Sequence, residues 1–557
     1  MKRHLAGAAL LGLMVGATPA LAQQPSLEEL VRRIDALQRR VNELEAERAR
    51  PAAPLAAPAP ARAPSRAPAV APAAAPVTAP PVAAAPPVAA APARPAVGAD
   101  GPSTAYDTSP EVPRLMPGPV VRTPEVVRSE VDEALRGSLD GLAMRVPNTD
   151  TTVRLYGFVR MTGYADFNAR NQTDAAAVQG IPLTRSAADG QTGGADFTAR
   201  GSRIGLDTRT DTEWGRLDTT IEADFRGEIS PGGDLAFRLR LAFAELTRDD
   251  WSYLIGQANS LWNEGVFEAF HDATNLNQSF IRQAQIRATH RFNANWTLAG
   301  SLEAPYGDVT TVRGPAFGPA RFDGGASPVF DQVPDLLARL TYRGNGTEAV
   351  LRGLVRRINI DTDNTTLQPG GSDDTLGWGL AAHVRLPVGR ALPALGRDEL
   401  TLLGFYGEGI GRYLAGNSFG QGAVTNFGVP SLLSYSLDAV PSYGGTAAYR
   451  RFWNDTLRST FAYSYARQDF PDSAGDFAPG SPGALALNRQ MQQVIANLVW
   501  SPFADRPTQR QPFGWLDLGL EYVFSRRDLE GGASAAAPGG VGHGIANRLV
   551  AFGLVRF

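Results

Sequence analysis

Over the C-terminal three quarters of the chain, apolar residues recur at every second position. Between Leu217 and Phe225, Leu217, Thr219, Ile221, Ala223 and Phe225 share one parity, while Asp218, Thr220, Glu222 and Asp224 share the other. Phe237, Leu239, Leu241 and Phe243 alternate with Arg238, Arg240, Ala242 and Ala244. Leu516, Leu518, Leu520, Tyr522 and Phe524 alternate with Asp517, Gly519 and Glu521. A period of two places one residue set on each face of a strand, so each segment has an apolar face and a polar face. The pattern predicts sixteen strands, beginning near 153, 196, 216, 235, 251, 281, 296, 335, 347, 375, 398, 442, 456, 488, 514 and 544.

Most of these segments run about 9–14 residues, the length a tilted strand needs to cross a bilayer. Their connections alternate. Thr210–Gly215, Arg248–Asp250, Phe292–Asn295, Gly344–Gly346 and Trp453–Asp455 are short, whereas 167–195, 259–280, 305–334, 410–441, 469–487 and 528–543 are long. Short turns on one rim and long loops on the other are the layout of an outer-membrane barrel, and a soluble sandwich has no reason to sort its loops this way. The final run, Leu549, Ala551, Gly553, Val555 and Phe557, has one apolar parity and ends in an aromatic, with Arg548 and Arg556 on the opposite face. Pairing of the last strand with the first closes both edges, as lipid demands. The expected fold is therefore an all-β membrane barrel of 16 antiparallel strands over residues 153–557.

The N-terminal part has other periods. Lys2, Arg3 and His4 precede an apolar run from Leu5 to Val15, followed by Ala20-Leu21-Ala22. This is the pattern of a secretory signal peptide over residues 1–22. Ser26 and Glu29 have capping-box spacing. Leu27, Leu30, Ile34, Leu37, Val41 and Leu44 then recur at alternating intervals of three and four, the seam of a short coiled coil over residues 23–50. Residues 51–124 are rich in Ala and Pro and predict a semi-extended spacer. Residues 125–152 carry a weakly helical pattern (Val127, Val131, Leu135, Leu139, Leu142), expected as a helical lead-in to the barrel.

Composition narrows the function. The 557 residues include no cysteine, which excludes disulfides, thiolate metal sites and cysteine nucleophiles. His4, His271, His290, His383 and His543 are scattered, without the spacing of a metal site. No cofactor is expected, and no enzyme, because no nucleophile–base motif appears. The formal net charge is −3, which argues against a nucleic-acid partner. Removal of residues 1–22 takes away Lys2 and Arg3, leaving 51 basic and 56 acidic residues.

Eight motifs, in this order along the chain, resemble the DcaP-like porins of Gram-negative outer membranes: Met144–Arg160, Ser202–Gly205, Ile221–Phe225, Phe237–Arg240, Leu254–Gln257, Arg282–Arg287, Tyr406–Tyr413 and Asn497–Pro502. The resemblance covers the whole barrel, and the family is also similar in having an N-terminal coiled-coil segment. It implies a homotrimer of 16-stranded barrels in outer-membrane lipid, with the N-terminal segment in the periplasm, taking up small anionic solutes such as dicarboxylates. The long Ala/Pro spacer departs from the compact family arrangement.

The charges fit that expectation. Lumen parity collects arginines, and guanidinium is permanently charged and binds carboxylate through two parallel donors. Arg238 and Arg240, with no acid between them on their strand, lead the candidates for anion contact, followed by Arg203, Arg287, Arg160 and Arg339. The loop over 259–280 is the expected constriction loop, carrying Trp262, Glu264, Phe267, Glu268, His271 and Asp272. The alternative expectation is a structural tether, in which the N-terminal segment links the outer membrane to the cell wall or a periplasmic partner.

Overall fold

A computed structural model of the protein describes residues 142–557, except 170–173, 175–176, 228–234, 264–266, 271–274, 319–326, 364–366, 368–370, 415–420, 433, 505–512 and 537–538. The expected signal peptide, coiled-coil seam and Ala/Pro spacer lie outside the described residues.

The period-two segments form one closed antiparallel barrel of 16 strands. They are β1 Thr151–Asn168, β2 Arg203–Thr212, β3 Gly215–Asp224, β4 Arg238–Arg248, β5 Trp251–Asn259, β6 Arg282–Arg291, β7 Trp296–Glu303 and β8 Asp335–Gly344. The ring continues through β9 Thr347–Asp361, β10 Ser372–Pro387, β11 Glu399–Glu408, β12 Pro441–Phe452, β13 Leu457–Gln468, β14 Asn488–Trp500, β15 Leu516–Leu529 and β16 His543–Arg556. Each pairs with its sequence neighbour. β16 returns to β1 with Phe158 opposite Arg556 and Asp166 opposite Arg548. No edge is left open in the ring, so the backbone polar groups of the wall are satisfied internally. Among the described residues no helix is long and apolar enough to cross a membrane.

Alternation sorts the two faces as expected. Val159, Ile204, Ile221, Leu239, Ile255, Ile286, Leu351 and Leu380 are exposed on the outer face. Their polar neighbours Arg160, Arg203, Glu222, Arg240, Gln285 and Arg352, and the small Ala381 beside Leu380, are buried inside. Trp214, Trp251, Trp296, Trp453 and Trp500 gather at or beside the short-turn rim, where amphipathic rings suit the membrane interface.

The strand expected near 196 is broken, with Gly194–Thr198 paired to Thr162–Asp166 of β1 before β2 begins at Arg203, and two further features differ from the sequence expectation. Leu142–Arg145, at the end of the expected helical lead-in, is a strand: Leu142 pairs with Leu155 and Arg145 with Thr152. β1 extends past Phe557, which pairs with Gly157, and backbone groups on that stretch of β1 gain a partner only if the chain turns back on itself. The part of the lead-in over residues 125–141 lies outside the described residues. Second, two of the long connections build a small sheet of their own. Asp308–Thr311, Gly314–Phe317, Ala423–Thr425 and Leu437–Ala439 form four short strands, with Val309 parallel to Ala423. Val309, Ala423, Phe427 and Leu437 bury themselves against Ile358 and Ile360 at the long-loop end of β9.

Candidate pore constriction

The loop from Ser260 to Ile281 folds inward. Trp262, Phe267, Phe270 and Leu276 are buried, and each is at most 4% exposed. The loop begins near β8 and β9: the Trp262 carbonyl accepts from Arg352 Nη1 at 2.6 Å, and the Asn263 carbonyl from Arg339 Nη1 at 2.8 Å. The Arg352 guanidinium also lies 5.6 Å from the centre of the Trp262 ring. Further along, the loop meets the far wall. Glu268 is bound by Arg458 through two hydrogen bonds of 2.8 and 2.6 Å. The Phe270 amide donates to Glu521 at 2.8 Å, its carbonyl accepts from Arg160, and its ring stacks on Phe552 with centroids 3.7 Å apart. The Leu276 amide donates to Gln493 at 2.9 Å. Arg352 stands on β9 and Arg160 on β1, which are opposite each other in the ring of 16. The loop therefore crosses the lumen along a diameter and is pinned at both ends of it.

This crossing is possible because the wall supplies what an inward loop lacks. A loop in the lumen carries backbone groups with no ladder partner, and each needs a hydrogen bond if buried. Arginines on the lumen face reach its carbonyls, while Glu303, Glu521 and Gln493 accept from its amides at Leu261, Phe270 and Leu276.

The other expected anion-contact residues are placed as follows. Arg203 Nη1 is 3.3 Å from Glu222 and its guanidinium lies over Phe158. Arg287 Nε and Nη2 donate to Gln285 Oε1 at 3.0 and 2.8 Å, and Nη2 also to the Asn259 carbonyl. Arg238 and Arg240 do not stand clear of acids. Arg238 holds Asp224 at 3.0 and 2.8 Å, and Arg240 holds Glu222 at 2.7 Å and Asp224 at 2.9 Å. The acids come from β3, the adjacent strand, so the run of like charge seen along β4 is compensated across the sheet. Of the expected constriction-loop residues, Trp262, Phe267 and Glu268 line the inward loop, while Glu264, His271 and Asp272 lie outside the described residues. Arg352 and Arg356 were not singled out from the sequence. Their signal was present: both share lumen parity with Glu348 on β9, but Val350 and Leu354 at the same parity gave that face an apolar look.

Arg356 ties the long-loop rim to the constriction. Its Nη1 donates to Asp308 at 2.8 Å and its Nη2 to the Tyr306 carbonyl at 2.8 Å, while Asp308 also accepts from the Arg412 amide at 2.9 Å. Tyr413 donates to Asp335 at 2.7 Å and packs edge-on against Trp262 with centroids 6.2 Å apart. Two of the strand histidines, His290 and His383, do not meet: His383 faces Glu348 at 3.2 Å, whereas His290 packs on Trp251. Among the described residues no cluster has the make-up of a metal site.

A closed barrel of 16 strands with short turns on one rim, long loops on the other and a loop folded into its lumen defines the outer-membrane barrel class. Residues 142–343 match the family model described as DcaP outer membrane protein, and the chain is thus DcaP-like, as its motifs indicated. The fold is similar to the outer membrane channel DcaP of Acinetobacter baumannii, with 21% identity, 74% of this chain and 99% of that one covered, and a TM-score of 0.56. Weaker likenesses are to OmpF of Salmonella typhi (9% identity, 74% and 100% covered, TM-score 0.45) and OmpT of Vibrio cholerae (9%, 74% and 99%, TM-score 0.43). No curated protein matches the chain.

Proposed function

We propose that the protein is an outer-membrane channel that passes small hydrophilic solutes, with a preference for anions such as dicarboxylates. The observation that carries this reading is the inward loop crossing the lumen against a wall of arginines. The loop narrows the passage, and permanent cations beside a narrow passage favour anions. Arg160, Arg339 and Arg352 reach the loop itself, and Arg203 and Arg287 lie on the same inner face. The pairing of Arg238 and Arg240 with Asp224 and Glu222, and of Arg203 with Glu222, shifts the expected contacts toward Arg160, Arg287, Arg339 and Arg352. The channel assembles as a homotrimer, by analogy with the family, and takes outer-membrane lipid around its apolar band.

The test is reconstitution into planar bilayers under a salt gradient. A reversal potential of anion-selective sign, together with interruption of the current by succinate, supports the reading. Strong cation selectivity or absence of conductance overturns it.

A second reading, a structural tether to the cell wall or a periplasmic partner through the N-terminal segment, coexists with the first. It is favoured by Leu142–Arg145, whose pairing attaches the segment preceding the barrel to the wall at the short-turn end. Deletion of 23–96 is expected to weaken assembly or tethering and leave conductance intact.

A further inference from the structure

Asp174 belongs to the first long loop, between β1 and β2, yet its carboxylate lies deep among arginines. Arg200 Nε donates to Oδ1 at 2.7 Å, with its Nη2 on the same oxygen, and Arg226 Nη2 donates to Oδ2 at 2.7 Å. Arg160 is a third cation acting on the same carboxylate. Asp174 is 5% exposed and Arg200 8%, while Arg160 and Arg226 are 1% exposed. Because Arg160 also donates to the Phe270 carbonyl, this cluster adjoins the inward loop at the constriction. The neighbouring wall acids have their own guanidinium partners: Asp166 is held by Arg548 at 2.6 and 2.9 Å, and Asp224 by Arg238 and Arg240.

Two guanidiniums on the two oxygens of one carboxylate is the arrangement by which arginine recognises any carboxylate, whether on a side chain or on a free solute. We propose that Asp174 is the built-in occupant of a carboxylate site formed by Arg200 and Arg226, and competes there with the carboxylate of a passing solute. The proposal rests on the anion-channel reading. A tethered ligand acts at high effective concentration, so a free dicarboxylate gains the site only by displacing Asp174. Such competition keeps solute binding weak, and conduction needs binding weak enough to release.

The experiment is single-channel recording on the full-length protein with succinate in a chloride background, comparing wild type with Asp174→Asn, Asp174→Glu and Asp174→Ser. Asp174→Asn is expected to bind succinate about tenfold more tightly, the change that follows when one charge-assisted pairing no longer has to be displaced. Asp174→Glu keeps a competing carboxylate and is expected to stay near wild type. Asp174→Ser leaves room for formate, which is expected to weaken succinate binding again when added; this arm decides the matter if Asp174→Asn does not yield a folded barrel. Unchanged succinate binding in Asp174→Asn with conductance retained overturns the proposal. So does equal tightening in Asp174→Asn and Asp174→Glu, which assigns the effect to displacement of the loop and not to its charge. Loss of anion preference in the wild type itself counts against the channel reading instead.

Discussion

Arg458 on β13 grips Glu268 of the inward loop with two parallel hydrogen bonds of 2.8 and 2.6 Å, and both side chains are 2% exposed. Wall and loop are thus locked by a buried, bidentate ion pair. Removing one partner strands the other charge, at a cost on the order of 3–5 kcal/mol, whereas replacing both by uncharged groups of similar size is far milder. Glu268→Gln is therefore expected to loosen the loop, seen as larger current fluctuations and a shift toward anions in bilayer recordings. The double variant Glu268→Gln/Arg458→Met is expected to be quieter than either single one. Additive noise in the double variant would show that the pair does not hold the loop.

Trp262 anchors the other end of the loop, 1% exposed and packed with Tyr413 and Ile410. Trp262→Ala removes a large buried ring, a change that costs about 3–5 kcal/mol where the cavity does not collapse. The hydrogen-bonded ladder of the barrel wall does not run through Trp262. The expected result is a folded barrel of normal heat-modifiable gel mobility whose loop is cut by protease at lower concentration than in the wild type. Equal protease resistance would contradict the anchoring role.

The Asp174 contact has a pH dependence of known sign. Burial pushes its carboxyl up, but Arg226 and Arg200 outweigh burial and hold it below the usual carboxylate range. A carboxylate depressed on folding contributes its anchoring above its unfolded value of about 4 and loses it as pH falls through the lower folded value. Among the described residues, the charged and titratable groups acting with it include Arg226, Arg200, Arg160 and Tyr164, and a guanidinium is a fixed cation. In the same loop as Asp174, the Val178–Gly180 turn is expected to keep a constant hydrogen-exchange protection factor, taken relative to the intrinsic rate at each pH, from neutral pH down to the ordinary carboxylate range, and to lose protection only in stronger acid. A loss of protection beginning near neutrality would exclude Asp174 as the anchor.

At Gly157, where the two ends of the barrel meet, any side chain collides. A Cβ there would lie 2.4 Å from the Arg203 carbonyl and 2.8 Å from the Phe557 ring. Gly157→Val is expected to impair closure, giving mostly the unfolded band on unheated gels. Gly163, on the same strand, has no contact closer than 3.8 Å, and Gly163→Ala is expected to fold normally. Equal folding of the two variants would remove the steric argument.

Strand positions were legible because lipid on one side and water on the other impose parity on every segment, as Ile221 and Glu222 illustrate. The place of the loop after β5 and its aromatic content marked it as the candidate constriction, but its route across the lumen depends on Arg458, Glu521 and Arg160, which lie far away in the chain. The partners of Arg238 and Arg240 were not: a one-strand view shows no acid between them, and their compensation depends on the register that sets Asp224 against Arg238. The small sheet over the long-loop rim escaped for a related reason. Its strands are three or four residues long, too short to show a period, and Val309 pairs with Ala423 across more than a hundred residues. The Asp174 cluster combines residues from two loops and β1, and nothing local marks it.

The hairpin at the start of the barrel acts on the end of the chain. Leu142 lies opposite Leu155 and Phe557 opposite Gly157, so the first and last strands abut end to end along one edge of β1 with only the place opposite Tyr156 between them. A slip of β16 toward the short-turn rim by one residue would turn its apolar face inward, and a slip by two would run Phe557 into Leu142. The hairpin closes locally, through residues 146–150, whereas β1 and β16 must find each other across the length of the barrel. A stop made early from neighbouring residues thus sets the stagger of a ring whose last joint is its most distant one.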